Sequence, residues 1–200
     1  VSDGKLAVDL SGIAETGELV FVAATYKDNV IYTFDVNVIL ATKIIRTAAD
    51  MAEVKITTDQ LKAYTPIEGY YVLGNDIDFG GAQLNDDLAN VLKLLKDQYW
   101  NKNQGFRGTF DGLNHKITNV KVGQGGLFGY VGQGAVIKNV NFEDISYTGA
   151  YCGSLLGYSV VNATLKDVNI SVSAYKYVES ADQGFLGGRL TSGNTLTNVK

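Results

Sequence analysis

Ile117-Thr118-Asn119-Val120-Lys121-Val122 carries a phrase that returns as Ile137-Lys138-Asn139-Val140, Leu165-Lys166-Asp167-Val168 and Leu196-Thr197-Asn198-Val199, at separations of 20, 28 and 31 residues. A second phrase, Gly126-Leu127-Phe128-Gly129, recurs as Ser154-Leu155-Leu156-Gly157 and Gly184-Phe185-Leu186-Gly187, at 28 and 30. Two interleaved periods of this length mark stacked units that share one core. Within the first copy, Val120 and Val122 are two apart, as a strand with one buried face requires, yet Ile117 and Val120 are three apart. A left-handed corner at Asn119 restores the alternation, because Asn and Asp tolerate that backbone better than other non-glycine residues. Ile117, Val120 and Val122 then all face inward, as do Ile137, Val140 and Phe142, and Leu165, Val168 and Ile170. The phrase predicts Ile117, Ile137, Leu165 and Leu196 as one stacked inner row, with Thr118, Lys138, Lys166 and Thr197 as a solvated outer row where Lys138→Asp is nearly silent.

Unequal separations place loops of different length between constant strands, which suits a coil of parallel strands better than a propeller of fixed hairpins. The predicted fold is all-β: a parallel β-helix, or solenoid, over residues 43–200, with short helices capping it near 57–64 and 85–97. Thr57 and Asn85 are the predicted helix caps, and Leu88, Val91, Leu92 and Leu95 form an apolar stripe at helical spacing. Such a stripe suits the shielding of an open first coil.

These residues carry a resemblance. Gly126-Leu-Phe-Gly129 with its companion phrase resembles the GLUG repeat of bacterial surface and secreted proteins. Tyr71-Val-Leu-Gly-Asn-Asp-Ile-Asp-Phe79, Phe106-Arg-Gly-Thr-Phe-Asp-Gly112 and His115-Lys-Ile-Thr-Asn119 resemble the lead-in to such repeats. The resemblance covers roughly residues 55 to 200, with Ser154 and Asp167 as departures. It implies a right-handed parallel β-helix in an exported, often surface-attached protein, and no catalytic residue.

The first 42 residues differ. Lys5–Leu10, Glu18–Tyr26 and Val30–Val38 alternate apolar and polar residues, and Lys27-Asp28-Asn29 reads as a hairpin turn. They resemble the closing strands of a bacterial immunoglobulin-like domain. A complete sandwich needs about seven strands over roughly 100 residues, so the chain is expected to begin in mid-domain. At the other end, Leu196-Thr-Asn-Val199 starts a phrase without its second inward position. The polypeptide is therefore expected to continue past Lys200 with further repeats or a cap, and otherwise to associate end to end.

Composition excludes several function classes. A net charge of −4, a pI near 5.0 and dispersed Lys and Arg residues give no basic footprint for nucleic acid. No apolar run reaches the length of a membrane helix, so no membrane insertion is expected within these residues. The lone Cys152 and lone His115 assemble neither a Cys–His pair nor a multi-histidine metal site, and Cys152 reads as a small buried residue, inert to thiol reagents. Asn75, Asp76, Asp78 and Asp111 have the oxygens for calcium from adjacent turns, and turn capping explains the same pattern. Arg107 and Arg189 raise a lyase acting on acidic polysaccharide, without spacing that supports it. Tyr130, Tyr147, Tyr151, Tyr158, Tyr175 and Tyr177 cluster in the repeats, where exposed rings stack on sugars or contact a partner protein, and where ordinary strand packing also favours aromatics. No catalytic residue, cofactor or metal ligand is assigned. The expectation is an extracellular, bacterial cell-surface module for adhesion or spacing, with a glycan or surface protein as partner. The rival is a polysaccharide-active β-helix enzyme or an accessory region of a large secreted protease.

Overall fold

The computed structural model describes residues 17–26, 30–38, 40–52, 54, 66–84, 105–123, 126–148, 155–176 and 184–200. The segments proposed as helices at 57–64 and 85–97, the first strand at 5–10, and Cys152 lie outside the described residues.

The chain divides into two compact units, residues 1–41 and 42–200. In the first, strands β1 (Gly17–Tyr26) and β2 (Val30–Val38) pair antiparallel, from Gly17 opposite Val38 to Tyr26 opposite Val30, with an irregularity between Ala23 and Thr25. They form a two-stranded sheet.

The second unit is a parallel β-solenoid of about four turns. It begins with β3 (Lys43–Ile45), followed by the one-turn helix α1 (Ala48–Ala52). The helix starts where it does because Thr47 and Asp50 form a reciprocal cap: the Asp50 N–H donates to Thr47 Oγ1 at 3.1 Å, and the Thr47 N–H donates to Asp50 Oδ2 at 2.9 Å. This Thr-Ala-Ala-Asp signal stands in the sequence and was missed. The helix buries Met51, and Val54 follows it into the core.

The coils then run through β4 (Tyr70–Leu73), β5 (Ile77–Asp78) and β6 (Gln83–Leu84), and next through β7 (Thr109–Asp111), β8 (Lys116–Thr118) and β9 (Lys121–Val122). In the following coil the same three positions merge into one strand, β10 (Val136–Tyr147), which pairs parallel with β7, β8 and β9 in turn. Beyond it come β11 (Gly157–Val160), β12 (Thr164–Tyr175), β13 (Gly187–Leu190) and β14 (Thr195–Val199). β12 stacks on β10, β14 on β12, and β13 on β11, all parallel.

The register corrects one row. Ile137, Leu165 and Leu196 do align. Ile117, however, lies opposite Phe142, and the residue opposite Ile137 is Phe110, itself opposite Tyr71. The inner rows are therefore Tyr71, Phe110, Ile137, Leu165, Leu196 and, at the next position, Ile77, Ile117, Phe142, Ile170. Thr118 correspondingly stands beside Glu143 and Asp78, not beside Lys138. The physical reason is that left-handed Asn or Asp occurs at two different corners of the coil, and β10 has one at each. Asn139, Asp167 and Asn198 occupy one, at φ 52°, 55° and 51°, while Asn119 and Asp144 occupy the other, at φ 55° and 54°.

The second phrase stacks as expected. The Leu127 and Phe128 N–H groups donate to Leu155 and Leu156 carbonyls at 2.7 and 3.0 Å, and Leu155 and Leu156 donate to Phe185 and Leu186 at 3.3 and 2.8 Å. Leu127, Phe128, Leu155 and Leu156 are buried. Gly157 is required by close approach, since a Cβ there would sit 2.9 Å from the Gly129 carbonyl.

The corners are also tied along the solenoid. The side-chain amides of Asn119, Asn139 and Asn198 donate to Asp78, Asp111 and Asp167 at 3.0, 3.0 and 2.7 Å, and that of Asn169 donates to Asn141 at 2.7 Å. Asn139→Val places a β-branched residue in left-handed backbone and removes the amide donor. A loss of about 2–3 kcal/mol is expected in urea unfolding, and Asn139→Gly should lose less than half of that because only the hydrogen bond goes.

Candidate functional site

Two clusters on the solenoid combine chemistry with a defined position. The first is aromatic. Parallel pairing places Tyr147, at the end of β10, opposite Tyr175, at the end of β12, and the next coil contributes Phe185 from its Gly-Phe-Leu-Gly phrase. Ring centroids are 5.4 Å apart for Tyr147–Tyr175, 5.6 Å for Tyr147–Phe185 and 5.1 Å for Tyr175–Phe185, all in tilted or edge geometries that aromatic pairs favour. Tyr147 is buried, and its hydroxyl donates to the Phe185 carbonyl. Burial, and then the neighbouring Tyr175, push its pKa well up, so the phenol stays protonated and keeps donating. Tyr175 and Phe185 remain 42% and 52% exposed. A pair of open rings thus rests on a buried, hydrogen-bonded third.

Of the six tyrosines read as a surface, only Tyr175 is placed as an exposed ring among the described side chains. Tyr130 and Tyr147 are buried, so neither offers an exposed face. Tyr158 belongs to β11, and Tyr151 and Tyr177 lie outside the described residues. Phe185, the more exposed partner, was missed because it occupies a phrase whose other copies, Leu127 and Leu155, are core residues.

The second cluster is polar and crosses three coils. Asp111 is only 2% exposed, on an outward position of β7. Its Oδ2 accepts the Tyr70 hydroxyl at 2.8 Å and lies 3.2 Å from the Lys138 ammonium, while Oδ1 accepts the Leu113 N–H and the Asn139 amide, each at 3.0 Å. Lys138 also stands 5.5 Å from the centroid of the Tyr70 ring. Burial pushes the Asp111 carboxyl up, but the Leu113 N–H, Asn139, Tyr70 and Lys138 together hold it below its ordinary value. Tyr70 and Lys138 are both shifted upward. Lys138, expected to be a silent outer position, is instead a partner of a buried carboxylate.

The residues considered for calcium are engaged in turns at Asp78 and Asp111 and in bonds between coils at Asn75 and Asp76. Asn75 donates to the Arg46 and Asp76 carbonyls, Asp76 Oδ1 accepts the Lys116 N–H and lies 3.0 Å from His115 Nδ1, and Asp78 Oδ1 accepts the Gly80 N–H at 2.7 Å. The Lys116 N–H, followed by His115, lowers the Asp76 pKa, and the Gly80 N–H, followed by Asn119, lowers that of Asp78. Among the described residues no three His, Cys, Asp or Glu side chains are grouped to hold a metal ion. Arg107 donates through Nε to the Gln133 carbonyl at 3.1 Å and lies 3.5 Å from Glu68, while Arg189 lies in β13 opposite Ser159. Among the described residues no helix is long and apolar enough to cross a membrane.

Comparison with protein-family models, curated proteins and solved structures returned no match.

Proposed function

We propose that residues 42–200 are a non-catalytic adhesion or spacing module of an exported bacterial surface protein, of the GLUG-repeat kind, with the solenoid right-handed. The β1–β2 hairpin is read as the closing part of an immunoglobulin-like domain. The observation that carries the proposal is the exposed Tyr175–Phe185 pair, fixed from below by Tyr147. Apolar ring faces held at a defined angle suit the C–H faces of a sugar or the side chains of a surface protein, and rings already ordered lose little entropy on binding. The corner ladders support the spacing role, since hydrogen bonds between successive coils stiffen the stack along its length. The Tyr70–Asp111–Lys138 cluster supports the spacing role as well, because its hydrogen bonds and ion pair join three successive coils.

A glycan array and a pull-down from bacterial and host surface extracts, both with the 200-residue chain, test this. Tyr175→Ala and Phe185→Ala should each weaken a captured ligand by about tenfold or more, as buried aromatic anchors do, with unchanged unfolding temperature. Ligand capture indifferent to both substitutions would reject the aromatic pair as the site. Product release from a polysaccharide panel would replace the proposal with the enzyme reading.

A further inference from the structure

Two acceptor triplets for N-linked oligosaccharide, in which Asn is followed two residues later by Ser or Thr, stand in the chain: Asn162-Ala163-Thr164 and Asn169-Ile170-Ser171. The solenoid treats them differently. Asn162 lies at the corner between β11 and β12, half-buried and in left-handed backbone at φ 48°. Its carbonyl accepts the Gly134 N–H of the coil before at 3.0 Å, and its side-chain oxygen lies where a Cβ on Gly193 of the coil after would fall. Attaching a sugar ring to a carboxamide packed that closely forces the corner to shift. Asn169 is the opposite case. Val168 is buried and Ile170 packs on the core, so Asn169 between them points outward and is exposed. An open strand edge does not cause that exposure. Asn169 is flanked by Asn141 on one side and by Lys200 on the other, where the Lys200 N–H donates to the Val168 carbonyl at 3.0 Å and the Ile170 N–H donates to the Lys200 carbonyl at 2.9 Å. Asn141, in the same outward row with strands on both sides, is only half-buried, so the row stays open to solvent within the stack.

We propose that Asn169 is an acceptor for an N-linked oligosaccharide and that Asn162 is not. The inference rests on the export reading above, because lipid-linked sugar donors meet their acceptors on the exported side of a membrane. The transfer joins Asn169 Nδ2 to C1 of the first sugar, breaks the bond from C1 to the oxygen of a lipid pyrophosphate, and releases that lipid pyrophosphate with one amide proton. The side-chain amide of Asn169 donates to Asn141 Oδ1 at 2.7 Å. An amide nitrogen carries two hydrogens and the transfer replaces one, so the bond between coils survives attachment. Asn169 and Ser171 lie in the paired strand β12, so the transferase reads the triplet before that strand is laid down. Once the coil forms, the oligosaccharide stands on its outer face as bulky, solubilising surface.

The test exports the 200-residue chain behind a cleavable leader in cells that make a membrane N-oligosaccharyltransferase and its lipid-linked donor, and reads it by intact mass and glycopeptide sequencing. The expected result is the added mass of one oligosaccharide on Asn169, lost in Asn169→Gln and in Ser171→Ala and retained in Asn162→Gln. The modified chain should unfold at no lower temperature than the unmodified one, since Asn169 faces outward. Recovery of an unmodified chain from cells in which a control acceptor is modified would overturn the proposal. So would a glycan on Asn162, or one that survives Asn169→Gln. The leader imposes export, so these outcomes bear on the acceptor alone, whereas a cytoplasmic location of the parent protein would overturn the export reading on which the proposal rests.

Discussion

Ile137→Asp should abolish the folded solenoid, whereas Leu196→Asp, in the same inner row, should shift its thermal midpoint only slightly. Ile137 is fully buried, with Phe110 and Leu165 as its neighbours in the row. A carboxylate at that point finds no partner, and the effective penalty of an unpaired buried ion is several kcal/mol, against a total stability of about 5–15 kcal/mol for a typical domain. Leu196 pairs with Leu165 in the same register but is 48% exposed, so a charge there keeps its water. The contrast isolates position along the stack from position within the coil. Circular dichroism melts of the two variants and the parent suffice, and equal losses in both would contradict the arrangement of the rows.

The sequence displayed the coil but mis-set one rung of it. Parallel stacking, the inward triplets and the left-handed corners were legible because each is a local rule: alternation broken by one Asn or Asp, repeated. Ile117 was assigned to the wrong row because Ile-Thr-Asn-Val and Ile-Lys-Asn-Val satisfy that rule at two different corners of the coil. The short separation of 20 is the available clue, since the true partner of Ile137 is Phe110, 27 residues before it and close to the separation of 28 that follows. Phe110 does not announce itself as that partner, because it is followed by Asp111-Gly112-Leu113, which bends with Leu113 and Asn114 in left-handed backbone and carries no Asn-Val signature. The site was less legible still. Exposure of Phe185 and burial of Tyr147 depend on which coils lie above and below them, and that information is absent from a phrase read alone. The same holds for Asp111, whose partners come from residues 41 positions before and 27 and 28 after it.

Asp111→Ala should cost about 2–4 kcal/mol, from several hydrogen bonds lost at about 1 kcal/mol each, while the Lys138 ammonium, 30% exposed, keeps its water. Four donors are deprived at once: the Tyr70 hydroxyl, the Leu113 N–H, the Asn139 amide and the Lys138 ammonium. Lys138→Met should cost less, about 1 kcal/mol, because three donors still satisfy the carboxylate. Lys138→Asp should cost more than Lys138→Met, since it sets a second carboxylate against one that is already buried. The effect has a pH signature. The folded-state pKa of Asp111 lies below its ordinary value of 3.8, so the folded chain holds its proton less tightly than the unfolded chain does. The stabilisation is therefore complete at neutral pH and declines as pH falls below about 4 and through the folded-state value. Urea unfolding of the parent and Asp111→Ala at pH 7 and at pH 3 should show the gap between them narrowing in acid. A gap of constant size would mean that Asp111 contributes by shape and not as an ionised acceptor joining three coils.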